Sequence, residues 1–174
     1  MKRVPKKLLF YIFLLCFITS LPATNYYVTK SGNDRNNGQS PAQAWLTIDE
    51  AMDHSYSGGD TLFIGSGDYW EYMPMSSAGS SGHPFVIYGD VTGKKTGQPA
   101  GSVGIGDSNK NYAIEIKDKN DIHIHGITFQ GPKKSCVYIS GSDNIEISHC
   151  TMKWQSQYGI FTYKAGGYLR FTDN

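Results

Sequence analysis

Ala113-Ile-Glu-Ile116, Cys136-Val-Tyr-Ile139 and Gly159-Ile-Phe-Thr162 recur at intervals of 23 residues. A second set, Ile122-His-Ile-His125, Ile145-Glu-Ile-Ser148 and Leu169-Arg-Phe-Thr172, recurs after 23 and then 24 residues, the extra one falling between Lys164 and Tyr168. Apolar residues alternate within each run, the period of a strand with one buried face. The same side recurs down the columns: Ile114, Val137, Ile160; Ile122, Ile145, Leu169; Ile124, Ile147, Phe171. Ile127 falls over Cys150, and Phe129 over Met152. Between the strands lie Asn120-Asp121, Asp143-Asn144 and Gly166-Gly167, residue types that tolerate tight or left-handed backbone.

A unit this short cannot bury its own strands. Stacked on a neighbour, it extends parallel sheets and fills an interior with aliphatic ladders. The leucine and asparagine pattern of leucine-rich repeats is absent, and propeller motifs run nearly twice as long. The spacing predicts an all-β parallel β-helix.

Working outward, Asp60–Ile64, Pro84–Tyr88 and Ser102–Ile105 are shorter β-prone runs bounded by Gly, Asp or Pro. Met73–Pro84 and Thr92–Gly101 read as polar loops, the second projecting from an early coil. Thr47-Ile-Asp-Glu50 has the form of a capping box, with the Thr hydroxyl serving the amide of Glu50 and Glu50 reaching back. It opens a short helix over residues 48–54, ended by Gly58-Gly59, that would cap the N-terminal end of the ladder.

Residues 1–23 stand apart. Lys2, Arg3, Lys6 and Lys7 precede an apolar run from Leu8 to Ile18 and a small-residue exit at Ala23, the layout of a secretory signal peptide. The run is too short for a membrane span, which takes about 20 residues. The expected organisation is a signal peptide at 1–23 and a β-helix domain at 24–174, with an N-terminal cap over 24–60 and coils over 61–174. The expected location is secreted or periplasmic, with no membrane attachment after processing. Without the four leader cations, 12 basic residues face 15 acidic ones, a net charge of about −3. That balance gives no electrostatic reason for a nucleic-acid partner. Cys136 and Cys150 fall on different strands as small apolar fillers, which favours thiols over a disulfide.

The opening of the mature chain carries a family resemblance. Residues 26–38, Ser40-Pro41, Trp45–Ile48, Gly59–Ile64, Gly67-Asp-Tyr69 and Gly82–Tyr88 resemble the start of secreted pectate-lyase-like right-handed β-helix proteins. The resemblance implies an extracellular polysaccharide-active protein, of the type that cleaves uronic-acid polymers by β-elimination. It implies a Lys or Arg base and a cation, Ca²⁺ or a basic side chain, that neutralises the uronate carboxylate. The chain holds about four coils and ends at Phe171-Thr-Asp-Asn174 without a capping segment, so a truncated chain lacking the catalytic coils is expected. No residue here matches a catalytic motif. The alternative is a non-catalytic β-helix adhesin or carbohydrate-binding scaffold.

Outward residues form columns as well. His123, Glu146 and Arg170 stand in register and are the candidate binders of a sugar acid, with His125, Ser148 and Thr172 beside them. Alternating polar residues on a wet face produce such columns without any function. His123 and His125 share a face, but no third residue completes a metal set, and no metal ligands are assigned. Asp34-Arg-Asn-Asn-Gly38 loosely resembles a calcium loop, and turn chemistry accounts for it equally well, so Ca²⁺ stays open. Trp70 and Trp154 are the rings to inspect for exposure, as platforms for a polysaccharide, acidic or otherwise.

Overall fold

The computed structural model describes residues 22–153 and 157–174, so most of the expected signal peptide and Trp154 lie outside the described residues. The chain begins with β1 (Asn25–Val28), a 3-10 turn at Pro41–Gln43 and α1 (Ile48–Asp53). Three-strand coils follow: β2 (Thr61–Gly65), β3 (Gly67–Tyr69), β4 (Met73–Pro74); then β5 (Phe85–Asp90), β6 (Val103–Ile105), β7 (Tyr112–Lys117). The regular coils are β8 (Ile122–His125), β9 (Thr128–Gln130), β10 (Ser135–Ser140) and β11 (Ile145–Ser148), β12 (Thr151–Lys153), β13 (Tyr158–Tyr163), with β14 (Leu169–Thr172) last.

Each strand pairs in parallel with its counterpart one coil away. The result is three sheets along one axis: a first of six strands, β1-β2-β5-β8-β11-β14; a second of four, β3-β6-β9-β12; and a third of four, β4-β7-β10-β13. The expected registers hold, with Val137 between Ile114 and Ile160, and Ile145 between Ile122 and Leu169. The interior is an aliphatic ladder sealed from water: Leu62, Ile87, Ile124 and Ile147 are fully buried, as are Ile105 and Phe129. Burying a side chain of this kind contributes about 1.5–3 kcal/mol. Cys136 and Cys150 are interior thiols, each pushed up to about 11 by burial.

Left-handed residues make the corners. At one recurring corner, Asp121, Asn144 and Gly167 have φ of 56°, 53° and 63°, one residue ahead of β8 and β11 and two ahead of β14. Where the first sheet turns into the second, Gly89 and Gly126 let neighbouring coils touch; a Cβ on Gly89 would lie 2.3 Å from the Gly126 carbonyl oxygen.

Three expectations change. The segment after Met73 is not all loop, because Met73 and Pro74 form β4 against β7, and Met73 and Met75 are buried. The loop after Asp90 does not project freely. The fully buried Asp90 carboxylate accepts hydrogen bonds from the Thr92 hydroxyl, the Lys95 and Thr96 amides and the Thr96 hydroxyl, and Gln98 reaches Ser31 at 3.0 Å. At α1, Thr47 Oγ1 accepts from the Glu50 amide at 3.2 Å as expected, but the reciprocal half is taken over by Asp34. Its Oδ1 accepts the Leu46 and Thr47 amides at 2.8 and 3.0 Å, and its Oδ2 the Thr47 hydroxyl at 3.1 Å. The helix stops at Asp53 with His54 as its C-cap, ahead of the glycines.

Candidate functional site

On the outside of the third sheet, Pro74, Glu115, Tyr138 and Phe161 stand opposite one another on successive strands, and Tyr112, Ser135 and Tyr158 form the column beside them. The rings stack along the axis. Tyr112 lies 4.4 Å from Tyr138 at an interplanar angle of 14°, and Tyr138 lies 5.9 Å from Phe161 at 9°. Tyr158 leans on Phe161 at 5.4 Å.

The segments that enter this sheet build a wall. A cleft of about 530 Å³ lies between α1 and residues 70–72, with Trp70, Glu71, Tyr72, Asp107 and Lys110 in its lining. Tyr72 and Lys110 also line a second cleft of about 250 Å³ that continues to Tyr112 and Glu115. Tyr112 then passes into a third of about 200 Å³ with Lys134, Tyr158 and Phe161. Each cleft shares lining residues with the next, so the three adjoin in succession from α1 toward β13 as a segmented groove.

The groove's polar groups are fixed in place. Tyr72 donates its phenolic hydrogen to Glu115 Oε2, and Lys110 Nζ sits 5.5 Å over the Tyr72 ring. Burial first, then the Glu115 bond, raises the Tyr72 phenol above its ordinary range, so it remains a donor. Glu71 Oε2 accepts the Asp49 amide at 2.9 Å in the first turn of α1. Burial raises the Glu71 carboxyl, against the opposing pull of backbone hydrogen bonds. Trp70, at 58 % exposed, projects beside them with no ring stacked on it among the described residues. A free ring face is what the C–H face of a pyranose stacks on, its slightly positive hydrogens meeting the negative π face. In the stacked column Tyr112, Tyr138 and Phe161 each have a ring neighbour, whereas Trp70 keeps its ring open.

The residues singled out from sequence lie on another face. His123, Glu146 and Arg170 are direct partners on β8, β11 and β14, as the spacing implies, and Arg170 Nη1 lies 3.6 Å from Glu146 Oε2. Beside them runs a second ring ladder that sequence reading did not find: Tyr27, Phe63, Tyr88 and His125 in consecutive contact at 5.5, 5.6 and 4.8 Å. His125 Nδ1 is 3.2 Å from Ser148 Oγ, and its ring is 4.7 Å from His149. Burial and the neighbouring His149 hold the His125 imidazole below its usual range. His149 has a partner in Asp173 at 3.6 Å, and His54 packs among Tyr26, Trp45 and Tyr56. Among the described residues no three His, Cys, Asp or Glu converge as a metal set. In the 34–38 loop both Asp34 oxygens hold α1, and Asn33 and Asn37 accept amides two residues on, which is turn chemistry.

The alternation that could have shown the first-sheet ladder is present in Tyr26-Tyr27, Leu62-Phe63 and Ile87-Tyr88, but loops of unequal length separate the three. The groove had no such signal, because its wall is made of segments whose position depends on the coils.

Comparison with known proteins agrees with this architecture. Residues 107–174 match the family described as right handed beta helix region. The uncharacterized protein YwoF of Bacillus subtilis (strain 168) is 29 % identical over 146 residues, covering 78 % of this chain and 29 % of that protein. The chain thus spans less than a third of the length of this curated relative. Among solved structures, a rhamnogalacturonan lyase superposes with a TM-score of 0.55 at 14 % identity, covering 75 % of this chain and 38 % of that one. A GH136 lacto-N-biosidase from Eubacterium ramulus superposes with a TM-score of 0.51 at 12 % identity, covering 84 % and 34 %. The fold is a right-handed parallel β-helix.

Proposed function

We propose that the chain is the N-terminal part of an extracellular polysaccharide-active β-helix protein, and that the groove on its third sheet holds the glycan. The observation that carries this reading is the succession of three adjoining clefts lined by Trp70, Tyr72, Tyr112, Tyr158 and Phe161. A linear polymer needs an open track with repeated platforms, and a small-molecule enzyme needs an enclosed cavity. The neighbours named as a lyase and a lacto-N-biosidase act on glycans according to their names, and both share the architecture.

The finer reading is a lyase of uronic-acid polymers whose β-elimination base stands on coils further along the solenoid. The charge of the groove bears on it directly. Asp34, Asp49, Glu50, Asp53, Glu71 and Asp107 line the widest cleft with Lys110 as the cation among them. A polyanion would be repelled there unless a divalent cation bridged carboxylate to carboxylate. A non-catalytic glycan-binding scaffold is the second reading, favoured by the stacked rings, which bind without a reacting pair.

The test is retardation of the chain in gels containing polygalacturonate, alginate or a neutral polysaccharide, with and without Ca²⁺. Retardation that falls at least fivefold in Trp70→Ala and Tyr158→Ala supports the groove. Retardation by the uronates only with Ca²⁺ supports the lyase type, and by the neutral polymer alone excludes it. No retardation by any polymer sinks the proposal.

A further inference from the structure

Asp60 is a carboxylate buried to 4 % exposure at the start of β2. Its Oδ2 accepts the Ser57 amide at 2.8 Å, and its Oδ1 accepts the Thr24 amide at 2.8 Å. The ion pairs among the described residues are His149–Asp173 and Arg170–Glu146, so no side-chain cation answers Asp60. A buried carboxylate whose partners are two neutral amides has no countercharge among them.

Thr24 is also where the fold takes hold of the chain. Its carbonyl oxygen accepts the Thr61 amide at 3.0 Å, and the next four residues are β1. Pro22 and Ala23, immediately before it, are exposed and belong to no element. Ala23 is the small residue after which the sequence places leader cleavage.

We propose that a leader peptidase hydrolyses the Ala23–Thr24 bond, and that Asp60 is the built-in counter-ion for the Thr24 α-ammonium group this creates. Water adds across the amide: its oxygen joins the Ala23 carbonyl carbon to give a carboxylate, and the amine departs on Thr24 and takes up a proton. The donor on Asp60 Oδ1 then changes from one neutral N–H to a cation with three, a charge-assisted bond roughly twice as strong as the neutral one. The cleft of about 260 Å³ beside it, lined by Tyr26, Ser55 and Ser57 as well as Pro22, Thr24 and Asp60, gives the new amine room. Cutting one or two residues earlier would leave the charge on the exposed Ala23 or Pro22. Cutting one later would remove the Thr24 contact altogether. The inference is independent of the glycan reading.

Two measurements test it. The full chain is expressed with its own first residues in an export-competent host, and the exported product is read by intact mass and N-terminal sequencing. Thr24 as first residue is expected, and any other start overturns the proposal. Forms beginning at Thr24 and at Pro22 are then melted at about pH 6, where an α-amine is protonated, each with Asp60 or with Asp60→Asn. The Thr24 form is expected to melt about 2–4 °C higher with Asp60, and the gap is expected to close in Asp60→Asn. Equal midpoints with Asp60 present, or a gap that survives Asp60→Asn, overturn it.

Discussion

The two ends of the solenoid are built from the same coil but not with the same regularity. Down one outward column of the first sheet, Tyr27, Phe63, Tyr88, His125, Ser148 and Thr172 are successive partners, at separations of 36, 25, 37, 23 and 24 residues. The later coils are minimal: three strands, left-handed corners between them and little else. The earlier coils carry α1, the Trp70–Tyr72 segment and the loop after Asp90 as insertions on the same frame. Every wall of the widest cleft comes from the inserted coils or the approach to β7. Regularity supplies the scaffold, and departures from it supply the groove.

The largest effect would show whether the two regions are one cooperative body. Phe85 and Phe129 are both fully buried, one in each region. Phe85→Ala and Phe129→Ala are each expected to cost about 3–5 kcal/mol, read from the urea midpoint. Equal losses with one transition join the regions, and two separated transitions break them apart.

The next effect belongs to the inserted region alone. Burial acts to raise the Asp90 carboxyl, but its hydrogen bonds from Thr96, Lys95 and Thr92 hold it below the ordinary range. A folded value below the unfolded one, about 3.9, means that its stabilisation is present above that value and lost as pH falls through the folded one. Asp90→Ala is expected to cost about 1–3 kcal/mol by stranding those donors. Asp90→Asn should flatten the stability profile below about pH 4. A profile unchanged by Asp90→Asn would show that the loop is held by something else.

The smallest effect is expected in the regular region. The Arg170–Glu146 pair is long and half exposed, so Arg170→Ala should change stability by less than about 1 kcal/mol. The informative reading is polysaccharide retardation. A loss there, with stability intact, would move the binding face to the first sheet and undo the division of labour drawn above.

How much was legible in the sequence follows the same division. The registers of β7, β10 and β13 and of β8, β11 and β14 could be read residue by residue, since a two-residue alternation repeated at a constant interval leaves one way to stack. The column of His123, Glu146 and Arg170 was legible for the same reason, though the position of three side chains says nothing of what they bind. The pairing of Met73 with Ile114 was not legible, because a two-residue strand has no alternation to recognise. The Tyr27–Phe63–Tyr88 ladder was hidden by unequal loops. The exchange of Glu50 for Asp34 at the start of α1 was invisible because a residue 13 positions away supplied the acceptor. Local pattern names the coil, and contacts between distant segments make the site.

The thiols of Cys136 and Cys150 give the molecule a clock. Both are sealed in the interior and shifted to about 11, so at neutral pH almost no thiolate exists to meet a reagent while the coils stay closed. Modification then proceeds only as fast as the solenoid opens. Cys136 lies in β10 and Cys150 just past β11, on successive coils. Their relative labelling rates would therefore time the unzipping of the ladder, coil by coil, with no foreign probe introduced.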